Sequence, residues 1–500
     1  MGYLEALQPV DGRRCFRLNS PVDGKEVHRF SVDTAADVKA KVALARAVQP
    51  AWAATPVKER ARLMQRALAL LVERSDAIAQ ELTLETGRAS LDTLMIELFA
   101  VCDSMNYYSR RAAKVLKDRS VGLHLLRHKR AKLVARPLGV VAVISPWNGP
   151  FVLSMNPTIQ AVLAGNAVII KPSEVTPMAG LLAARLFADA GFPEGLVQVA
   201  LGDGETGAAL LSAGVDKVSF TGSVATGRKV GEICGRNLVP CTLELGGKDA
   251  MIVCADANIE RAAGGALFGG FMNAGQFCSA VERIYVHADV ADAFTKAVVR
   301  KVGELELGRD IGPFIFERQG PIVAEQVADA VAKGAQVLAG GKLDGGYFQP
   351  TVVAGVNHGM TLMTEETFGP VLPIQVVKSE DEAIRLANDN KYGLGASVWT
   401  RDTKRGEAIA RRLQAGAVTV NETALTYGAL ELPFGGVKES GVGRVNGADG
   451  LLNFSQLLPI VTDRFGLTTE AVWYPYTPKK LEDLRKGLKI MFGTILRWFL

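Results

Sequence analysis

VVAVISPWNGPFVLSMNPTIQAVLAGNAVIIKPSE, residues 140–174, contains two short runs of β-branched residues on either side of a longer apolar stretch. Both runs, VVAVIS and AVIIKPSE, lead into turns that contain Pro, so each predicts a strand. The stretch between them is long enough for a helix. Two strands joined through a helix form a βαβ unit, which predicts a parallel sheet.

The same pattern continues in two series, which predict two α/β domains that meet near residue 245. The first series adds LVQVAL (196–201) and KVSFTGS (217–223). The second lies between residues 249 and 421 and contains DAMIVC, ERIYVH, PTVVAGV, LPIQVV, SVWT and AVTVN. Residues 34–117 predict helices instead, and the basic, partly alternating residues 119–138 predict an exposed β-hairpin arm.

Composition argues against several classes of protein. A chain of 500 residues predicts two or three domains, and 57 basic against 52 acidic residues are too balanced to indicate nucleic-acid binding. Six widely spaced cysteines form no CxxC motif and the five histidines are scattered, so we expect neither a metal site nor a disulfide framework. The first ten residues, MGYLEALQPV, lack the pattern of a secretory leader, so we expect a cytoplasmic protein.

Two glycine-rich turns match phosphate-binding motifs only in part. The stretch GDGETG (202–207) fits GxGxxG, but no acidic strand end follows about 20 residues later, so an ordinary turn is favoured. The stretch GSVATGRK (222–229) lacks the hydroxyl that binds magnesium in a P-loop, which argues against nucleotide hydrolysis. Because it lies between a strand and a helix, a pyrophosphate site and an ordinary turn both remain open there.

Four polar residues near predicted strand ends are candidates for chemistry, each with a simpler alternative. Lys171 and Glu174 could bind ribose hydroxyls or be solvated loop charges. Glu244 stands between two leucines, where it would have a raised pKa suited to a general base unless it lies on an exposed edge. Asn148 could donate a hydrogen bond to an oxyanion or only stabilise a turn.

Cys278 stands in the stretch NAGQFCSAVERIYV, residues 273–286, just before a predicted strand. Its residue type and surroundings fit either a nucleophile or a buried thiol. The nearest histidine in the sequence is His287, nine residues on and beyond the strand. A histidine-activated thiol is therefore not indicated locally.

Taken in order, the motifs PWN, KPSE, FTGS, LELGGK, GQFC, ETFGP and PFGGVKESGVGR resemble the NAD(P)-dependent aldehyde dehydrogenase superfamily. The resemblance extends from about residue 20 to about residue 460, and the 34-residue step from Glu244 to Cys278 is the family's usual step. It implies that Cys278 is the catalytic thiol, that Glu244 activates water, and that Asn148 supplies the oxyanion amide. The positions implied to bind the cofactor are Lys171, Glu174, Gly222, Ser223, Trp147, Glu366 and Phe368. The positions expected along the substrate tunnel are Gly149, Met272, Phe277 and Ser279.

The resemblance also implies an α/β fold with a Rossmann-like cofactor domain, a second α/β catalytic domain and a small β oligomerisation arm. The expected cofactor domain takes in residues 1–118 and 139–245, and the catalytic domain residues 246–425. The expected arm combines residues 119–138 with 451–462, after a return segment at 426–450. Arms of this kind complete a partner's sheet, so a homodimer or homotetramer is implied.

The implied reaction oxidises an aldehyde to a carboxylic acid with NAD(P)+, through a thiohemiacetal and then a thioester that water hydrolyses. Glu174 favours NAD, because a carboxylate repels a 2′-phosphate; NADP is the alternative. Gly149 stands where many relatives carry an aromatic residue, so we expect a wide tunnel and a long-chain or aromatic aldehyde, with succinate semialdehyde as the alternative. Other classes are a cysteine hydrolase and a non-catalytic binding protein on the same fold.

Residues 463–500 form an extension with an amphipathic pattern. Apolar residues recur at helical spacing, at Leu481, Leu484, Leu488, Met491, Ile495 and Trp498. Basic residues interleave with them, and the apolar end is too short to cross a bilayer. The helix could therefore contact a membrane surface, but packing on a partner subunit or capping the tunnel is favoured.

Overall fold

Parallel β-sheets form the centre of the structure, a computed structural model that describes residues 12–498 apart from the side chains of residues 495 and 496. The predicted α/β class is confirmed. The expectation about a secretory leader concerns residues 1–10, which lie outside the described residues, as do residues 499 and 500 of the extension. No helix among the described residues is both long and apolar enough to cross a membrane.

The strands are β1 (Cys15–Asn19), β2 (Glu26–Ser31), β3 (Arg119–Val121), β4 (Lys129–Pro137), β5 (Val140–Ile144), β6 (Ala167–Lys171), β7 (Val197–Val199), β8 (Lys217–Thr221), β9 (Cys241–Glu244), β10 (Asp249–Val253), β11 (Val281–His287), β12 (Gln336–Ala339), β13 (Leu343–Asp344), β14 (Tyr347–Phe348), β15 (Thr351–Ala354), β16 (Val371–Val377), β17 (Gly395–Trp399), β18 (Ala417–Val420), β19 (Gly441–Val442) and β20 (Ser455–Asp463).

The helices are α1 (Ala35–Ala54), α2 (Val57–Glu73), α3 (Ser75–Thr86), α4 (Ser90–Asp92), α5 (Ala100–Val115), α6 (Pro150–Leu163), α7 (Pro177–Asp189), α8 (Gly204–Ser212), α9 (Val224–Asn237), α10 (Ile259–Phe271), α11 (Ala288–Val302), α12 (Gln319–Ala332), α13 (Thr361–Thr364), α14 (Glu380–Asn388), α15 (Thr403–Ala410), α16 (Gly447–Leu452) and α17 (Pro478–Gly493). A π-helical turn over Thr93–Phe99 joins α4 to α5, and a 3-10 turn over Met272–Gly275 follows α10.

The first large sheet has six strands in the order β19-β9-β8-β5-β6-β7. Strands β5 to β9 are parallel, and β19 is antiparallel to β9 at one edge. From β5 the chain moves outward to β6 and β7, and then crosses to β8 and β9 on the other side. The order therefore reverses between β5 and β8, and in open α/β sheets ligands bind outside the carboxyl ends of the strands at such a point.

The second large sheet has seven strands in the order β12-β15-β16-β11-β10-β17-β18, all parallel except β12. Both of its faces are covered by apolar side chains. Met251 and Ile284 pack in one cluster, and Ile252 and Tyr285 pack in the cluster on the opposite face. Since successive strand residues point to opposite faces, a strand covered on both sides reads as a continuous apolar run such as DAMIVC.

Helix α6 holds the connection that follows β5. Pro150 fills its first position, where a missing N–H costs no hydrogen bond, and nearly every residue of the helix is buried. It packs against α2, α5, α7 and β6. A helix that is buried on all sides lies in the interior, so the turn that precedes α6 adjoins a rigid element.

The described residues fall into two compact units. One takes in the described residues up to Val115 together with Pro137–Phe454, and thus contains both large sheets. The other takes in Leu116–Arg136 and the described residues from Ser455 onward. In this second unit β3, β4 and β20 form a three-stranded sheet in the order β20-β4-β3. The division of the first unit into a cofactor and a catalytic domain stays a prediction.

Three local features differ from what the sequence pattern predicts. The hairpin of β1 and β2 was not anticipated, although its residues alternate. The last strand begins at Ser455, because the residues just before it form α16. Helix α17 ends at Gly493 and Thr494 is extended, so Ile495 and Trp498 lie beyond the helix rather than on its apolar face.

Candidate active site

The candidate residues meet where the carboxyl ends of one sheet approach the amino ends of the other. Asn148 follows β5, and Glu244 is the last residue of β9. Cys278 lies just before β11 of the seven-stranded sheet. Negative charge at Glu244 raises the pKa of the Cys278 thiol, after the larger effects of burial and of Asp249, so the two side chains lie within electrostatic reach of each other.

Cys278 sits on a connection of unusual backbone conformation. Asn273 and Ala274 adopt left-handed dihedral angles, with φ of 54° and 55°. The carbonyl oxygen of Cys278 lies so close to Gly247 that a Cβ there would overlap it, which requires glycine in LELGGK. Burial, together with nearby carboxylates, raises the pKa of the thiol, so the free protein keeps it in the neutral form.

Glu244 is buried rather than at an exposed edge, with 6% of its surface accessible. Both carboxylate oxygens lack a hydrogen-bond partner among the described residues. Burial therefore raises the pKa of Glu244 well above its ordinary value, opposed by the positive charge of Arg444. A neutral, unpartnered carboxyl beside a thiol is free to bind water and to exchange a proton with it.

Asn148 is held at both its side chain and its backbone. Its Nδ2 donates to the carbonyl of Gln276, 3.1 Å away and two residues before the thiol. Its own carbonyl accepts hydrogen bonds from Asn273 Nδ2, at 2.9 Å, and from the guanidinium of Arg88. One amide hydrogen is therefore committed to Gln276, and the second is left to donate elsewhere.

A buried ion pair holds the connection that carries Glu366 and Phe368. Lys248 Nζ lies 2.7 Å from Glu282 Oε2, and both side chains are at most 3% exposed. The same carboxylate accepts from the backbone N–H groups of Thr367 and Phe368, each at 2.8 Å. Since these two residues follow Glu366, the pair fixes the backbone at the positions that the family resemblance assigns to the nicotinamide ribose.

Glu366 and Phe368 face the connections around the thiol. Glu366 Oε1 accepts the N–H of Gly247 at 2.9 Å, and a Cβ on Gly246 would overlap the carboxylate. Phe368 has a left-handed φ of 53°, and its ring meets Trp147 edge to face at 5.3 Å. Burial, then repulsion from Glu282, raises the pKa of Glu366.

The other cofactor candidates lie at the carboxyl ends of β6 and β8. Lys171 Nζ is buried and lies 3.4 Å from a carboxylate oxygen of Glu174, whose side chain is 47% exposed. Burial lowers the pKa of Lys171. Ser223 caps α9 by accepting the N–H of Thr226 at 3.3 Å, and Gly222 packs against Phe220. This is the strand–turn–helix geometry that suits a pyrophosphate.

The expected tunnel residues are only partly brought together. Gly149 and Met272 are buried beside Asn148 and Asn273, their respective sequence neighbours. Phe277 is half-buried, and the Ser279 hydroxyl is buried without a partner among the described residues. No contact places these four residues along one channel, so the tunnel assignment stays a prediction.

Sequence reasoning missed a tyrosine close to the thiol. Tyr427 is half-buried, and negative charge at Glu244 and Cys278 contributes, after loss of solvation, to raising its pKa. Its hydroxyl accepts from Asn156 Nδ2 at 3.0 Å, and Phe434 meets its ring edge to face at 5.2 Å. No sequence signal could have found Tyr427, because the loop that carries it has no regular periodicity.

Two histidines near these sheets have other partners. His287 caps α11 through a hydrogen bond from Asp289 N, and His358 bonds to Tyr285 and Asp389. Neither arrangement assists a nucleophile, which weakens the cysteine-hydrolase alternative.

Replacing Lys248 by Met should destabilise the protein by about 3–5 kcal/mol, because Glu282 would be left as an unpaired buried charge. Urea unfolding at neutral pH measures the difference. The matched control is Lys391→Met, which breaks an exposed ion pair with Glu365 of the same 2.7 Å length. That change should cost less than about 1 kcal/mol, and equal losses in the two variants would contradict the assignment.

Replacing Glu244 by Gln should stabilise the cofactor-free protein at pH 8 but not at pH 4. The raised pKa of Glu244 means that folding favours its neutral form, so its contribution to stability is lost as pH rises above the ordinary value of 4.5. The gain should be about 1.4 kcal/mol for each pH unit above the pKa of Glu244 in the unfolded chain. It stops growing at the pKa of the folded protein, or at pH 8 if that is lower. Denaturant unfolding across this pH range tests it, with the exposed Glu205→Gln as the control that should show no such trend.

Comparison with known proteins agrees with this geometry. The model of the aldehyde dehydrogenase family matches residues 8–458. The chain is 41% identical over 480 residues to "4,4'-diapolycopene aldehyde oxidase" of Methylomonas sp, covering 95% of this chain and 91% of that protein. It is 42% identical over 472 residues to a Mycolicibacterium smegmatis protein named "Putative succinate-semialdehyde dehydrogenase" with NADP(+), covering 92% and 91%. A crystal structure of a Mycobacterium tuberculosis aldehyde dehydrogenase complexed with NAD+ superposes with a TM-score of 0.87 at 36% identity, covering 92% of this chain and 97% of that one. The motifs, the two sheets and these relatives together identify the chain as a member of the aldehyde dehydrogenase family.

Proposed function

We propose that this enzyme, an NAD(P)-dependent aldehyde oxidoreductase, converts a bulky apolar aldehyde into its carboxylic acid by acylation of Cys278 and hydrolysis with Glu244. One observation carries the proposal. The buried Glu244 carboxyl has no partner among the described residues, yet its charge reaches the Cys278 thiol. A structural carboxylate would be paired, so an unpaired one beside a nucleophile is suited to proton transfer.

In the first half-reaction the sulfur of Cys278 attacks the aldehyde carbon, and the thiol proton passes to the ionised form of Glu244, directly or through water, and from there to solvent before the second half-reaction. The oxygen that gains negative charge accepts hydrogen bonds from the free amide hydrogen of Asn148 and from the backbone N–H of Cys278. When bound, the oxidised nicotinamide supplies a positive charge near the thiol and a place for the hydride. Loss of hydride from the carbon leaves a thioester on Cys278.

In the second half-reaction Glu244 accepts a proton from water, and the hydroxide formed attacks the thioester carbon. The carbon–sulfur bond breaks, the carboxylic acid leaves, and Cys278 regains a proton. The raised pKa of Glu244 suits this role, because the ionised form of such a carboxyl is a stronger base than an ordinary carboxylate.

The cofactor candidates fit a dinucleotide. Glu174 is half-exposed beside the buried Lys171, so its carboxylate is available to ribose hydroxyls. A carboxylate there repels a 2′-phosphate, which supports NAD first. NADP stays the alternative, because the mycobacterial relative carries NADP(+) in its name while the Mycobacterium tuberculosis structure holds NAD+. Gly222 and Ser223 would lie under the pyrophosphate, and Trp147, Glu366 and Phe368 near the nicotinamide.

An apolar substrate is supported from two sides. The relative named for diapolycopene aldehyde acts, by that name, on a long hydrocarbon aldehyde. A dicarboxylic semialdehyde would need a cation for its second carboxylate, and the buried Arg88 does not offer one, because its three donor nitrogens are bonded to Asn273, Glu97 and Asn148. Succinate semialdehyde remains the alternative, on the printed name of the mycobacterial relative.

The arm supports a homodimer or homotetramer. Its three-stranded sheet has β3 and β20 as its edges, and an edge strand offers unpaired backbone groups to another chain. Leu457, Ile460 and Val461 on β20 are between 38% and 59% exposed. We therefore propose that the arm pairs with a second copy of the chain.

The extension is compatible with packing on a partner subunit, which is favoured, and with contact between a cytoplasmic enzyme and a membrane surface. On α17 the side chains of Leu481, Leu484 and Leu488 are between 52% and 59% exposed, on one helical face. Residues 478–498 carry six basic and two acidic side chains. Trp473, Tyr474 and Tyr476 are also exposed, and aromatic residues of this kind favour the membrane interface. An enzyme bound to the membrane surface in this way would have direct access to an aldehyde dissolved in the lipid.

Oxidation of a panel of aldehydes tests the reaction. Cys278→Ala should abolish NADH formation, whereas the half-buried Cys102→Ala should retain it. Glu244→Gln should give one burst of NADH per active site and then a steady rate lower by about 10²–10⁴-fold. The burst is expected because the variant can still acylate Cys278, and the slow steady rate because it lacks the base that hydrolyses the thioester. Fastest turnover with long-chain or aromatic aldehydes would support the apolar substrate.

Other outcomes of the same panel point elsewhere. Preference for succinate semialdehyde would leave the proposed reaction intact but contradict the proposal of an apolar substrate. No turnover of any aldehyde with either NAD or NADP would favour the non-catalytic class.

Sedimentation with vesicles tests the membrane contact. Wild type should bind vesicles of phosphatidylcholine mixed with phosphatidylglycerol, bind pure phosphatidylcholine more weakly, and dissociate as salt rises. Leu484→Glu should abolish binding, whereas Leu91→Glu, on a residue that is 74% exposed in α4, should not. If Leu484→Glu instead changes the oligomer's mass in light scattering and vesicle binding is absent in wild type, the helix packs on a partner.

A further inference from the structure

Arg88 is an arginine buried in the same compact unit as the candidate active site. It follows Gly87, which ends α3 in a left-handed conformation, and its surface is 3% exposed. Its NH1 lies 2.7 Å from Glu97 Oε1, and both side chains are 1% exposed. A buried guanidinium requires a paired anion and a full set of hydrogen-bond acceptors. The acceptors of its remaining N–H groups therefore show which parts of the chain the ion pair holds in place.

Those remaining donors reach the two connections that flank the thiol and the oxyanion amide. Nε donates to Asn273 Oδ1 at 2.8 Å, and NH2 donates to the carbonyl of Asn148. On the other partner, Glu97 Oε2 accepts the N–H of Val152, in the first turn of α6, at 2.7 Å. The ion pair thus binds the backbone of Asn148 itself and the first turn of α6 just after it.

Asn273 extends the same network to the connection that carries Cys278. Its Nδ2 donates to the carbonyls of Asn148 and of Gln276, each at 2.9 Å. Gln276 is also the acceptor of the Asn148 amide. The carbonyl of Gln276 therefore accepts hydrogen bonds from the side-chain amides of Asn148 and Asn273. Arg88 is hydrogen-bonded to both of these asparagines.

We propose that Arg88, oriented by Glu97, is a positioning residue that sets the Asn148 amide against Cys278 for stabilisation of the oxyanion. The inference rests on the proposed function, since Asn148 matters in this way only if a tetrahedral oxyanion forms on the thiol. The planar guanidinium with three separate acceptors explains why arginine stands here. A lysine has one compact ammonium group, which could not donate to three acceptors that lie in such different directions.

The proposal predicts which reactions of Cys278 depend on Arg88. Acylation by p-nitrophenyl acetate forms an oxyanion on the substrate and needs no cofactor. Alkylation by iodoacetamide uses the same thiol but forms no oxyanion. Loss of a single oxyanion donor lowers rates by about 10²–10³-fold, so a misplaced donor should approach that loss in acylation and leave alkylation unchanged.

The test compares Arg88→Lys with the double variant Arg88→Met/Glu97→Gln, which removes the pair without leaving a lone buried charge. Each should slow acylation and aldehyde oxidation by about 10–10³-fold, leave KM for NAD unchanged, and alkylate at the wild-type rate. Asn148→Ala should show the same pattern. Adding Asn148→Ala to the double variant should slow acylation no further, because both changes remove one interaction.

Asn273→Ala gives a second route if the arginine variants fold poorly, since it removes one bond to the Asn148 carbonyl without touching the charges. It should slow acylation more than alkylation. Equal losses in acylation and alkylation, or losses that multiply with Asn148→Ala, would overturn the positioning role. A wild type that is acylated at Cys278 but oxidises no aldehyde would instead refute the proposed function, and the acylation comparison would still decide the role of Arg88.

Discussion

A charge that is buried away from water must have a partner, and two such pairs hold the backbone around Cys278. Arg88 and Glu97 bind the connection after β5, while Lys248 and Glu282 bind the connection before β16. In both pairs some of the atoms that remain outside the ion pair bond to backbone groups of these connections. Because removing one partner leaves an uncompensated charge, each pair links the geometry of a connection to the stability of the whole fold.

Glu244 differs from these four residues, because it is a buried acidic group without a partner in the described part of the chain. It too is buried, yet both of its oxygens lack partners among the described residues. Folding avoids the cost by keeping the carboxyl neutral, which is the physical meaning of its raised pKa. A protein optimised for stability alone would place an apolar residue there, so the position is best understood through what it does for chemistry.

Much of this arrangement was readable from the sequence, because parallel strands and their polar ends leave local patterns. Asn148, Glu244 and Cys278 stand beside apolar runs, and the order of the motifs indicated the family. Arg88, Glu97 and Tyr427 were invisible for a different reason. Arg88 and Glu97 are only nine residues apart, but the groups that they hold lie far along the chain, as Arg88 and Asn273 are 185 residues apart, and no local periodicity records such a contact. The end of α17 at Gly493 was also missed, since apolar spacing continues past the point where the backbone extends.

The neutral thiol of Cys278 has a consequence for the life of the enzyme between turnovers. Peroxide and other oxidants attack the thiolate, so a thiol that burial and neighbouring carboxylates keep protonated is oxidised slowly. The proposed function places the positive charge of the oxidised nicotinamide beside this sulfur, where it would favour the thiolate. On that proposal the thiol is most open to oxidation when the cofactor is bound and no aldehyde has yet arrived.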